Sequence, residues 1–106
     1  METLLVLTNC PDRETANIIA HAVLEARLAV CVNILPSVQS IYHWQGAIES
    51  AMEIPLFIKS TVARYPALEK LISELHPYEI PEIIALPITQ GLPAYLNWVA
   101  AETVDK

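Results

Sequence analysis

Cys10 has the most versatile chemistry of any side chain here, because it stands just before Pro11-Asp12-Arg13-Glu14, a segment with the marks of a helix start. A helix N-terminus favours a thiolate, and a thiolate is a soft ligand that suits copper(I) or zinc(II) better than magnesium or calcium. The competing expectation is a small apolar residue filling a strand-to-helix turn. Cys31 alternates with Val30 and Val32 and is expected as a buried structural thiol. His76 precedes Pro77 at a predicted helix end, where it either caps the helix or offers a neutral imidazole whose hold on a metal weakens as pH falls. Glu82 lies between Pro81 and Ile83 in an apolar stretch. A carboxylate buried alone is costly, so a pair with Lys59 is the structural expectation and ligation the functional one. No Cys-x-x-Cys or His-Glu-x-x-His spacing occurs, so a metal site has to assemble in space. His43, beside Trp44, and His21 are more exposed candidates. Tyr42, Trp44, Tyr78 and Trp98 read first as interface anchors. Alternatively Trp44, Lys59, Tyr78 and Glu82 line a cleft between subunits that takes a small ligand.

The elements that position these residues are legible from periodicity. Thr3 to Leu7 is a short apolar run suited to a buried strand. Ala16, Ile19, Ala22, Val23 and Ala26 keep helical spacing to about Arg27, although no glycine marks the end. A long ribbon follows, with one arm from Val30 to Trp44, a turn at Gln45-Gly46, and a second arm from Ala47 to Ser60. Fifteen residues at ~3.3 Å each give an arm of roughly 50 Å, longer than the roughly 35 Å diameter expected of a compact domain this size. The ribbon therefore bends at Pro36-Ser37, or its end projects. Ile41, Tyr42, Trp44, Ile48, Met52 and Ile54 are costly to leave in water, which favours projection into another copy of the chain. Pro55 cannot donate to a ladder and is expected at an edge, a bulge or a change of sheet. A second helix is predicted over about Arg64 to Leu75, a short strand over Glu82 to Leu86, and a last helix from Pro93. The order βαββαβ with an extra C-terminal helix predicts an α+β, ferredoxin-like antiparallel sheet.

At 106 residues this is expected to be a single domain spanning 1–106. Charged residues make up 17% of the chain, against an ordinary ~25%, and interface burial is the simplest home for the apolar surplus. The formal charge of -6 and the scattered Arg13, Arg27, Lys59, Arg64, Lys70 and Lys106 disfavour nucleic acid. Met1-Glu2 opens directly into a strand without a basic leader, and no apolar run approaches ~18 residues. The expectation is a soluble cytoplasmic protein without membrane partners, its two cysteines reduced.

The chain resembles the CutA, or divalent-cation tolerance, family. The likeness is carried by Thr8-Asn9-Cys10-Pro11-Asp12, by Ala29 to Pro36, and by Ser40-Ile41-Tyr42-His43-Trp44-Gln45-Gly46. It continues through Ile58-Lys59-Ser60, His76 to Pro87 and Tyr95-Leu96-Asn97-Trp98. The resemblance implies a ferredoxin-like subunit in a homotrimer, with long hairpins packed around the threefold axis. It also implies a tie to divalent-metal tolerance and copper binding, and a structural likeness to the PII signalling trimers. The copper ligands it implies fall on Cys10, His76 and Glu82; copper(II) is the first candidate, with zinc(II) next. Ser37 replaces the glycine common after Leu-Pro, and Pro55 interrupts a strand usually built from Val, Leu or Glu. Those two positions put the bend and the local pairing in question.

Three function classes follow. The first is a metal-binding trimer without catalytic turnover. The second is a small-molecule sensor resembling PII, with ligand at inter-subunit clefts. The third, a hydrolase or transferase using Cys10 as nucleophile, fares worst because no orienting acid is assigned to His76, its one plausible base. Only Gly46 and Gly91 occur, so the glycine-rich phosphate loops of a nucleotide enzyme are absent.

Overall fold

The computed structural model describes residues 2–104. Its elements are β1 (Thr3–Cys10), α1 (Arg13–Glu25), β2 (Cys31–Ile34), β3 (Val38–Trp44), β4 (Ala47–Thr61), α2 (Tyr65–Leu75), β5 (Ile83–Pro87) and α3 (Pro93–Glu102). The strands form one antiparallel sheet in the order β2-β4-β1-β5, and β3 pairs with the far half of β4. β1 runs to Cys10, three residues past the predicted Leu7, so Thr8, Asn9 and Cys10 belong to the sheet. Pro11 consequently precedes the helix. Asp12 is the N-cap, its carboxylate accepting from the Thr15 N–H at 2.8 Å.

The far end of α1 explains the missing glycine. Leu28 N–H donates to the Val23 carbonyl at 3.0 Å and Arg27 N–H to that of Leu24 at 3.1 Å, the paired bonds of a Schellman motif. Arg27 takes the left-handed position at φ 56°, where glycine is usual. Its guanidinium meets Glu102 at 3.1 Å, and its carbonyl accepts from Arg64 Nε at 3.3 Å.

One face of the sheet is covered by α1 and α2. Leu4, Val6 and Cys10 of β1 and Ile54, Leu56 and Ile58 of β4 pack against Ala16, Ile19, Val23, Leu68 and Ile72, the two-residue strand period meeting the helical one. On the strands, the alternate residues turn to the opposite face. There α3 packs against β1 and β4, and Phe57, Ile84 and Leu86 stay exposed.

The predicted single arm from Val30 to Trp44 is two strands. Ile34 pairs with Leu56 and Val38 with Glu53, so residues 35–37 face only residues 54–55: one residue too many, a bulge. In an extended strand a residue's N–H and C=O point to the same side. The Pro55 carbonyl accepts from the Leu35 N–H at 3.0 Å, so the donor that proline lacks would also face the bulge, where the ladder is already interrupted. Beyond it, β3 and β4 continue as a hairpin closed by Gln45 (φ 49°) and Gly46 (φ 82°), the positive pair that a two-residue turn demands. The molecule measures 44 × 26 × 23 Å, and the 15 residues of β4 account for the long axis. Ile41, Ile48 and Met52 on one face of the hairpin are 67%, 72% and 59% exposed.

Candidate functional site

Where the hairpin leaves the body, its other face forms one wall of a groove of about 670 Å³. The register places Tyr42 beside Glu49 and Val38 beside Glu53, so Tyr42, Trp44, Glu49 and Glu53 share that face. The opposite wall is the loop after α2, with Tyr78, Glu79, Ile80 and Glu82, and Asn9 of β1 lies at the base.

A hydrogen-bonded chain fixes the loop. The Tyr78 N–H donates to His76 Nδ1 at 3.2 Å, so Nδ1 carries the lone pair, and Nε2–H donates to the Asn9 carbonyl at 2.6 Å. The imidazole is thus the neutral Nε2 tautomer with both nitrogens engaged. The two rings meet at a tilt of 57° with their centroids 4.7 Å apart, and Tyr78 Oη donates to Glu53 Oε2 at 3.0 Å. Burial pushes the Tyr78 phenol up to about 12, helped by its bond to Glu53 and that carboxylate's charge.

Cys10, His76 and Glu82 converge on the same end of β1. His76 bonds the carbonyl of Asn9, and Glu82 adjoins Ile83, which pairs with Thr8. Proximity does not make them a ligand set. Among the described residues, no group of three or more His, Cys, Asp or Glu is arranged to hold a metal ion. The expectation of a Cys10 thiolate is corrected: the residue is buried, and its thiol is pushed up to about 11, first by burial and then by the charges of Asp12 and Glu53. Asp12 already caps the helix whose dipole was to stabilise the thiolate, and its negative charge opposes ionisation.

Two further expectations are corrected. Lys59 does not pair with Glu82. It sits opposite Cys31 on β2 and Leu5 on β1, donating to Asn33 Oδ1 and lying 3.8 Å from Cys31 Sγ, whereas Glu82 lies at the other end of β1. Cys31 itself is half-buried on the face turned away from α1 and α2, because Val32 and Ile34 take the core-facing positions of β2. Of the residues expected to line a cleft, Trp44, Tyr78 and Glu82 meet in the groove and Lys59 stands outside it. His43 lines the groove. His21 lies on α1 with Nδ1 near the Asn17 carbonyl at 2.9 Å, and Trp98 contacts Tyr95 on α3. Sequence reasoning missed Glu53, the one nearly buried carboxylate among the described residues. Its only signal was a spacing of four from Glu49, which puts both on one strand face beside the ribbon's base.

The profile of the family described as "CutA1 divalent ion tolerance protein" matches residues 4–102. "Divalent-cation tolerance protein CutA" of Thermus thermophilus is 46% identical over 99 residues, covering 93% of this chain and 96% of the relative. "Protein CutA" of Mus musculus is 49% identical over 90 residues, covering 85% of this chain. The chain spans about half the length of that mouse relative, 51%. The crystal structure of CutA1 from Shewanella sp. SIB1 superposes with a TM-score of 0.92 at 46% identity, covering 95% of this chain and 94% of that one.

Proposed function

The chain belongs to the CutA1 divalent ion tolerance family, and from that footing we propose a single-domain, cytoplasmic homotrimer that takes up a divalent metal ion, copper first and zinc next, without catalysing a reaction. The observation that carries the assembly is the uncovered apolar hairpin. Ile41, Ile48 and Met52 stand in water in the protomer, and sister copies supply their burial. The order β2-β4-β1-β5, with β2 and β3 counted as one bent strand, supports a ferredoxin-like reading. No described helix is long and apolar enough to cross a membrane.

Two things support the metal reading: family membership and the convergence of Cys10, His76 and Glu82 at one end of β1. Ligation there requires loss of the Cys10 proton and exchange of a His76 hydrogen bond, so uptake is coupled to pH and weakens as pH falls. The same geometry argues against Cys10 and His76 as a nucleophile–base pair, because burial pushes the thiol up to about 11 and both His76 nitrogens are engaged. Calorimetric titration with copper(II) tests the assignment. Cys10→Ser, His76→Ala and Glu82→Gln are each expected to weaken uptake about tenfold or more; unchanged stoichiometry and affinity in all three would remove these residues from the site.

A further inference from the structure

The two cysteines stand in opposite settings. Cys10 is wholly buried among the aliphatic side chains under α1 and α2. Cys31 is half-buried on the other face of the sheet, and the register sets it directly across from Lys59. Lys59 Nζ lies 3.8 Å from Cys31 Sγ and donates to Asn33 Oδ1. The β2–β4 pairing imposes this contact, because a slip of one residue would turn Val32 and Ile34 away from the core they pack against. Lys59 is itself half-buried. Tyr95 of α3 lies beside the thiol, its phenol pushed up by burial and then by Cys31. A thiol within reach of small oxidants and in contact with an amine has a reaction open to it that Cys10 lacks. Oxidation to a sulfenic acid is followed by condensation with a nearby nitrogen to a sulfenamide.

We propose that Cys31 and Lys59 are an oxidation-sensitive pair, which a hydroperoxide converts to a reversible covalent S–N link between β2 and β4. In the first step the Cys31 sulfur, as thiolate, attacks a peroxide oxygen. The S–O bond forms as O–O breaks, and the Lys59 ammonium protonates the departing oxygen. Sulfur loses two electrons, and the peroxide is reduced to water or an alcohol. In the second step the Lys59 nitrogen, now neutral, attacks that sulfur. The S–N bond forms, S–O breaks, and the sulfenic hydroxyl leaves as water with one amine proton. The flexible Lys59 stem closes the remaining gap by giving up its hydrogen bond to Asn33. Two molecules of an external thiol restore both side chains and are themselves oxidised to a disulfide. The link pins the four-residue edge strand β2 to its neighbour, and it uses none of the residues assigned to the metal.

The test treats the assembled protein with hydrogen peroxide in chelator-treated buffer, which excludes metal-driven oxidation, and maps its peptides by mass spectrometry. A Cys31–Lys59 peptide pair lighter by two hydrogens than its separate halves is expected, and dithiothreitol should remove it. Cys31 should react at least about tenfold faster than the buried Cys10. Lys59→Arg keeps the charge but removes the nucleophilic amine, so it should abolish the link and leave a sulfenic acid at Cys31 that dimedone captures. Wild-type protein with Cys31 oxidised and Lys59 free would overturn the proposal, as would a disulfide in place of the link or equal oxidation of both cysteines. So would a Cys31 that stays reduced in peroxide sufficient to oxidise free cysteine, the result expected if assembly seals this face. These wild-type readouts decide the matter even if Lys59→Arg fails to fold.

Discussion

β4 is one strand with two fates. Ile54, Leu56 and Ile58 at its body end, and Ile48 and Met52 at its hairpin end, occupy the same face by strict alternation. The first three are buried under α1 and α2, and the last two stand 72% and 59% exposed. Residue type does not distinguish the two ends; what lies over them does. The protomer covers as much of the strand as its two helices can reach, and the remainder stands exposed, the surface that the proposed assembly would bury.

The sharpest way to test that contrast is to truncate both ends. Leu56→Ala opens a cavity in the closed part of the core and should lower unfolding stability by about 2–5 kcal/mol at a fixed protein concentration, with the assembly intact. Met52→Glu should instead show its loss as dissociation at micromolar concentration. If Met52→Glu leaves the assembly and its melting curve untouched, the hairpin end is not an interface and the comparison fails.

The boundary between the two ends can be probed through pH. Cys10 pairs with Ile54 at the point where coverage stops, and its thiol is raised from 9.0 to about 11. A raised acid keeps its proton in the folded state while the unfolded chain loses it. Its contribution to stability is therefore complete below about pH 9 and is lost as pH rises toward 11. The decline should reach up to about 2 kcal/mol, and Cys10→Ala should flatten it between pH 8.5 and 10.5 as followed by thermal melts. An unaltered pH profile in the variant would mean that Cys10 is not the titrating group.

How much of this was legible in the sequence follows the same division. Helix spacing at Ile19 and Val23, the stop at His76-Pro77 and the turn at Gln45-Gly46 are local signals, and each lies close to where it was read. The end of α1 was not legible, because Arg27 takes a left-handed position that sequence reserves for glycine. The bulge was foreshadowed by Pro36 and Pro55, but the count of three residues against two is a matter of register. The groove was legible only in part. Tyr78 and Glu82 sit in a short distinctive segment, whereas Glu53 becomes important only when β3 and the loop after α2 close around it. The Lys59–Glu82 pair failed because apolar flanks say that a charge needs a partner without saying at which end of a strand it lies.

Smaller effects belong to the tip. Gly46 adopts φ 82° and a Cβ there would meet nothing within 4 Å, so Gly46→Ala costs only the backbone conformation, about 1 kcal/mol. Gln45→Asn places a residue more tolerant of positive φ at the neighbouring position and should be neutral to slightly stabilising. Denaturant midpoints measure both. A loss from Gly46→Ala as large as that from Leu56→Ala would mean that the tip is packed tightly against something.

The most direct test of the central claim, that copies of the chain cover the hairpin's apolar face, is the mass of the protein in solution by size-exclusion chromatography with light scattering at micromolar concentration. The account predicts three times the 11.8 kDa of one chain, reduced toward a single chain by Ile48→Glu with Met52→Glu. A stable 11.8 kDa monomer with a cooperative melt would contradict it.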